Sequence, residues 1–186
     1  HDQRPRCDNS ASEEADMNDA PSYVASNFPR VADDNYVTVD PRCISVLCNN
    51  WDIPSGAVDP CTRGGDSGLR PVIAGAFSSL AEANVRAAIT NPPYRLPDVD
   101  LIHKKLIQLV VDDELDVAAT LMRVQWDCAK RRADYWQWPF AASIRLQFRP
   151  WWSDNRSKQP IHSYQWLVWD RRHNGRPMVI HGGAGS

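Results

Sequence analysis

Several things are missing from this chain, and each absence narrows its class. No apolar run approaches the roughly 20 residues of a membrane-spanning helix. Among the five cysteines and five histidines there is no Cys-x-x-Cys pair and no Cys/His ladder, so the sequence gives no reason to expect a structural zinc or other metal site. The cysteines (Cys7, Cys43, Cys48, Cys61 and Cys128) are odd in number and irregular in spacing. A disulfide framework is therefore not expected, and a reduced, cytoplasmic setting is the simpler reading. No internal repeat is present. Neither sign of charge dominates, with 21 bases against 23 acids. No segment has the charged, apolar and small-residue order of a secretory leader, and the first residue is His1 rather than Met.

What is present reads as globular. The 186 residues, 42% hydrophobic and 24% charged, suit one domain with a sizeable core. The near-neutral total hides an asymmetry. Residues 1–34 carry eight acids and three bases and few large apolar side chains, which predicts an acidic, mostly disordered arm. The remaining 152 residues carry 15 acids against 18 bases. Their excess is concentrated in 123–158, where Arg123, Lys130, Arg131, Arg132, Arg145, Arg149, Arg156 and Lys158 outnumber Asp127, Asp134 and Asp154. Such a face suits a phosphate backbone, or is simply solvated.

From residue 35 onward, turn signals and apolar periodicity alternate. Pro41 stands at a first-turn position before Ile44, Val46 and Leu47, predicting a short helix. "SGAVDPCTRGGDSG" reads as a strand ending in a tight Gly-rich loop. "RPVIAGAF" is a second strand, "SSLAEANV" a helical piece, and "RAAIT" a third strand. In 98–111, Val99, Ile102, Leu106, Leu109 and Val110 recur at helical spacing, with Asp98 as candidate cap. A buried strand over 116–124, a basic helix over 127–136, an alternating strand over 142–150 and another over 164–170 follow, with a last short strand in "RPMVIHG". The order predicts an α/β domain over 35–186, with a mostly parallel sheet and an antiparallel edge hairpin.

In such sheets ligands sit beyond the carboxyl ends of the strands. Two stretches fall there, the Gly-rich loop and "NPPY" at 91–94. Consecutive prolines stiffen the backbone and leave carbonyls without competing donors. The Asn91 side-chain oxygen and the Pro92 carbonyl are able to accept both hydrogens of an exocyclic amino group. Tyr94 supplies a face for a planar base turned out of its stack. An amine held this way needs no strong base; its lone pair has only to be aimed at an electrophile while oxygens receive its developing charge.

"DPCTRGGDSG" followed by "AAITNPPY" resembles motifs I and IV of the amino-methylating DNA methyltransferases, which use S-adenosylmethionine. The run "ATLMRVQWDCAKRRADYW…FRPWW…HSYQWLVWDRR" is similar to compact phage-type N6-adenine methyltransferases. The likeness spans about residues 35–181. It implies a Rossmann-like class I methyltransferase fold and methyl transfer to N6 of adenine in DNA. By position it implies Asn91, Pro92, Pro93 and Tyr94 as the catalytic motif. Asp59, Pro60, Cys61, Gly64 and Gly65 would line the cofactor pocket, closed by Tyr36 and Thr38 in "YVTVDPRCISVLC". Arg145, Arg149, Trp151, Trp152 and Arg156 are candidates for nucleic-acid contact.

The chain also departs from that pattern. Arg63 stands where the family loop has its first glycine, and "VIAGAF" brings Gly75 and Ala76 where an acid normally binds the ribose; Glu82 is the nearest acid. No stretch after NPPY is long enough for a separate target-recognition domain. Three other readings stay open at this level. The acceptor could be RNA or a protein glutamine. The fold could bind nucleic acid or a partner without catalysis. Or the chain could be a secreted Trp-rich protein, whose sign would be disulfides among Cys43, Cys48 and Cys61.

Overall fold

The computed structural model describes residues 40–61, 85–94, 96–152 and 161–183. They form an α/β unit around a five-stranded mixed sheet. In chain order the elements are α1 (Arg42–Asn50), β1 (Ala87–Thr90), α2 (Asp98–Val111), β2 (Val117–Arg123), β3 (Phe140–Leu146), β4 (Tyr164–Asp170) and β5 (Met178–Gly182). Two 3₁₀ stretches, Val124–Cys128 and Lys130–Trp136, join β2 to β3.

The sheet order is β1-β2-β4-β3-β5. β1 is parallel to β2 and β5 to β3, whereas β4 is antiparallel to both its neighbours. Four strands thus point one way and β4 alone is reversed. The expected antiparallel hairpin exists as β3–β4, but it does not form the edge. β4 is inserted between β2 and β3, and β5 takes the edge, so parallel and antiparallel pairings are equal in number. Burial explains the placement. Every residue of β4 is buried, as is all of β2 up to Arg123, and only interior strands with both faces covered have that pattern.

α1 and α2 lie on opposite faces. On one face Val99, Ile102, Leu106, Leu109 and Val110 of α2 pack on Ala88, Ala118 and Leu167. On the other, Cys43, Val46 and Leu47 of α1 meet Ala119, Ile144, Trp166 and Val168. Burying each of the larger aliphatic side chains contributes roughly 2 kcal/mol. The two buried indoles are paired: Trp166 donates to the Cys43 carbonyl and Trp169 to the Tyr135 carbonyl, each at 2.8 Å.

Local expectations are corrected in four places. Ile44, assigned to the apolar side of α1, is 40% exposed, and Cys43 takes the buried position one residue earlier. Pro97, not Asp98, is the cap residue of α2, and Asp98 lies inside the first turn, where its charge favours the helix dipole. The strand before the Gly-rich loop is reduced to a single bridge at Val58. The basic segment 127–136 is not a continuous helix, because Ala129 is extended and separates the two 3₁₀ stretches. Arg132 and Tyr135 turn inward from it, Arg132 onto Asp100 and Tyr135 into the α2-side core. The strand and helical piece expected over 70–84, and the acidic arm at 1–34, lie outside the described residues.

α2 ends by backbone geometry rather than by glycine. Asp113 has φ of 64°, a left-handed conformation costly for a residue with a Cβ. Glu114 N–H reaches the Leu109 carbonyl at 2.9 Å, closing the last turn. The Asp113 carboxylate is in turn held by Arg86 and Arg171.

Candidate functional site

The site is built where β1 ends. Val58 lies alongside β1 in parallel: its N–H donates to the Ala87 carbonyl at 3.0 Å and its carbonyl accepts from Ile89 N–H at 2.8 Å. The chain leaves Val58 into Asp59-Pro60-Cys61 at the same end of the sheet where β1 runs into Asn91-Pro92-Pro93-Tyr94. Two loops far apart in sequence are thereby set side by side. Asp59 folds back on its own turn, Oδ1 accepting the Cys61 N–H at 2.9 Å. Burial pushes the Cys61 thiol up to about 12; the Thr90 hydroxyl beside it lowers it and Asp59 raises it. This thiol stays protonated and packs as an apolar group. The contact with Thr90 is looser than a full hydrogen bond, since the Thr90 oxygen is buried without a partner of proper geometry.

Asn91, Pro92 and Pro93 are buried and Tyr94 is half-buried. The Tyr94 hydroxyl donates to Asn91 Oδ1 at 2.6 Å, and the same oxygen is 3.1 Å from the Leu121 carbonyl of β2. NPPY is therefore tied to the neighbouring strand through its tyrosine.

Around Tyr94 the sheet assembles an aromatic and basic cluster. The Arg123 guanidinium lies over the Tyr94 ring, 5.5 Å from its centroid, within reach of a cation–π contact. The antiparallel register sets Arg123 opposite Tyr164, and the Tyr164 ring is 6.1 Å from that of Tyr94. Trp152 meets Tyr164 edge-to-face at 4.9 Å. His162 is lowered from its usual value, chiefly by burial, then by the positive charges of Arg123 and Arg149. Trp152, Tyr164, Tyr94, Arg123, Arg149 and His162 thus belong to one neighbourhood.

The structure sorts the sequence candidates accordingly. It brings together Asn91, Pro92, Pro93 and Tyr94 with Asp59, Pro60 and Cys61, and it joins Trp152 and Arg149 to them. Trp151 and Trp152 are half-buried rather than exposed. Trp151 is held from behind, its N–H donating at 3.3 Å to Asp40 Oδ2. Asp40 is itself clasped by Arg42, whose side chain is the main reason its carboxyl is lowered below the usual range. Arg145 is separated from this group. It follows Ile144, which packs on the α1 side, so it points to the α2 side, where its charge acts on Cys128. Tyr36, Thr38, Gly64, Gly65 and Arg156 lie outside the described residues, as do Arg63, Gly75, Ala76 and Glu82.

Sequence reasoning missed Arg123, His162 and Tyr164 at this site. Their signal was weak: one closes a strand, two precede or open another, and only the register of β2 on β4 makes them neighbours of NPPY.

His103, which showed no partner in the sequence, is fully buried on α2. Its Nδ1 lies 2.6 Å from the Val99 carbonyl and its Nε2 2.8 Å from the Thr120 hydroxyl. A carbonyl only accepts, so Nδ1 carries the proton and Nε2 accepts from Thr120. Burial drives this imidazole down to about 4 and keeps it neutral. With the Trp126 ring tilted against it at 4.2 Å and Arg132 lying 4.0 Å over Trp126, it forms a staple between α2 and β2.

Cys43, Cys48, Cys61 and Cys128 are all free, so the disulfides among Cys43, Cys48 and Cys61 that would mark the secreted alternative are not formed. Among the described residues no helix is long and apolar enough to cross a membrane, and no group of three or more His, Cys, Asp or Glu is arranged to hold a metal. No protein-family model, curated protein or solved structure matches the chain.

Proposed function

We propose that this chain transfers a methyl group from S-adenosylmethionine to the N6 amino group of adenine in DNA. One observation carries the reading. The Val58–Ala88 bridge sets Asp59-Pro60-Cys61 beside Asn91-Pro92-Pro93-Tyr94 at the carboxyl end of β1, the end of the sheet where α/β proteins bind ligands. A cofactor loop and an amine-holding loop are useful to one reaction only if they meet. What supports reading the sheet as Rossmann-like is the parallel β1–β2 pair at this end with β4 as the single reversed strand, in the order β1-β2-β4-β3-β5.

The described cofactor-side residues fit the donor as far as they extend. Asp59 closes a tight turn at the end of its strand segment, and Pro60 and Cys61 present a buried, uncharged surface behind it. When bound, the sulfonium cofactor supplies an electrophilic methyl group. The chain's own residues do the rest. The Asn91 side-chain oxygen and the Pro92 carbonyl receive the two amino hydrogens, turning the nitrogen lone pair outward. As the nitrogen becomes positive, those oxygens stabilise it in a setting from which water is largely excluded. The Tyr94 ring offers its face to the base.

The aromatic and basic neighbourhood of Tyr94 favours a nucleic acid over a peptide. Trp152 and Tyr94, packed around the buried Tyr164 ring, supply stacking surface while Arg123 and Arg149 supply positive charge for phosphates. The test is calorimetric titration with S-adenosylmethionine and S-adenosylhomocysteine, followed by methyl transfer to adenine-containing DNA. Micromolar cofactor affinity and N6-methyladenine in the product are expected. Absence of binding up to millimolar cofactor would refute the proposal.

A further inference from the structure

Most arginines among the described residues are matched to aspartates. Arg42, Arg86, Arg131, Arg132, Arg171 and Arg172 each stand within ion-pair distance of one. Arg123 does not. Among the described residues no carboxylate lies in ion-pair reach of it, and the charges that act on its neighbour His162 are its own and that of Arg149, both positive. The side chain is nevertheless half-buried. Its Nε is covered and has no hydrogen-bond partner, while its terminal nitrogens are not covered. Packing places the group: the register of β2 on β4 sets Arg123 opposite Tyr164, and the guanidinium lies over the Tyr94 ring, 5.5 Å from its centroid. Arg145 also has a covered Nε without a partner, but a carboxylate stands in its neighbourhood. Cys128, on which the Arg145 charge acts, donates to Asp127 Oδ1 at 3.3 Å.

A guanidinium fixed on an aromatic ring, partly stripped of water and given no counter-charge by its own chain, is prepared for an anion from outside. Its terminal N–H groups match two oxygens of a phosphate, and an anion gains more at such a partly desolvated cation than at an exposed one. The cation stands beside the loop of Asn91 and Tyr94, so a ligand that uses both has a planar group and an anion close together. A nucleotide is built this way, with its phosphate one sugar away from its base. We propose that Arg123 is the seat of the target nucleotide's own phosphate, so that a single nucleotide is recognised here without the remainder of a strand. The choice of adenine rests on the methyl-transfer reading; the phosphate seat does not. A diffuse basic face would instead add weak contacts along a strand and give a mononucleotide little advantage over its nucleoside.

The test is calorimetric titration of the full chain with 2′-deoxyadenosine 5′-monophosphate and with deoxyadenosine. The monophosphate is expected to bind at least tenfold more tightly, and inorganic phosphate to compete with it and not with the nucleoside. Arg123→Gln should close the gap to within twofold, whereas Arg145→Gln should leave it intact. A monophosphate that binds no better than the nucleoside, or does not bind, overturns the proposal, and so does a gap that survives Arg123→Gln. If Arg123→Gln does not fold, Arg123→Lys takes its place: it keeps the charge and loses the fork, so the gap should narrow to about threefold. An unchanged gap in that variant overturns the proposal equally. The two readings fail separately. A chain that prefers the monophosphate and transfers no methyl group refutes the proposed function and keeps the seat; one that methylates DNA and treats nucleotide and nucleoside alike refutes the seat alone.

Discussion

Val58 and Ala88 face each other across a parallel bridge, although 30 positions separate them in the chain. Everything proposed for this protein depends on that pairing. It is held by two main-chain bonds, one in each direction, and Val58 contributes the only N–H of the pair on its side. Val58→Pro removes that donor. The expected result is at least a tenfold loss of S-adenosylmethionine affinity by titration, with the unfolding transition still cooperative. Unchanged affinity would separate the 59–61 turn from cofactor binding.

Asn91→Ala tests the other loop. Asn91 is assigned to the target amine and not to the cofactor, so transfer should fall by at least two orders of magnitude while cofactor affinity is retained. A variant that methylates DNA at the original rate would remove Asn91 from the catalytic motif.

The two faces of the sheet make different predictions for DNA. Trp152→Ala removes stacking surface beside Tyr164 and should weaken DNA binding by roughly 1–3 kcal/mol. Arg123→Gln should weaken it across all sequences and reduce the salt dependence by about one counterion. Arg145→Gln, on the α2 side, should leave DNA affinity within error. Fluorescence titrations over a range of salt concentrations check all three, and equal losses for Arg145 and Arg123 would contradict the division.

His103 predicts how stability depends on pH. Its folded value, about 4, lies below the ordinary 6.5. Between these values the unfolded chain binds the extra proton and the folded chain does not, so stability rises with pH. The contribution is complete above about pH 6.5 and is lost as pH falls toward 4, reaching about 3 kcal/mol. His162, also lowered, adds a smaller loss in the same direction. Urea unfolding at pH 7.5 and pH 5 should show the fall, and His103→Phe should flatten it while lowering stability at pH 7.5. An equal slope in the variant would assign the pH dependence elsewhere.

Gly182 closes β5 against α1, where an added Cβ would fall within contact of the Val46 methyl and 3.5 Å from the Ile144 methyl. Gly182→Ala should therefore destabilise the chain by about 1–3 kcal/mol through overpacking, a drop of roughly 3 °C in Tm per kcal/mol. Gly56→Ala meets nothing within 4 Å, so its cost is conformational, from a φ of 78°. Thermal melts of both variants distinguish crowding from strain.

Much of this protein was determined by short-range information. The five apolar positions of α2 are all buried as their spacing required, because a helix has one period and one face to hide. β1, β2 and β4 were legible as apolar runs bounded by turn residues. NPPY and the Asp-Pro turn were visible as stiff, carbonyl-rich loops at strand ends. The local misreadings came where two structures share one pattern. The basic stretch 127–136 has helical composition, and it is divided into 3₁₀ turns because Arg132 and Tyr135 are drawn to Asp100 and the α2-side core.

Tertiary structure alone decided the rest. Which strands pair, and in which direction, is set by long-range burial, and no residue of β4 encodes its insertion between β2 and β3. That insertion brings Tyr164 against Arg123 and turns two strand ends into walls beside Tyr94. It also assigns Arg145 and Trp152, seven positions apart, to opposite faces. A sequence records what each residue can donate, accept or stack upon; the register of the sheet decides which of those capacities meet.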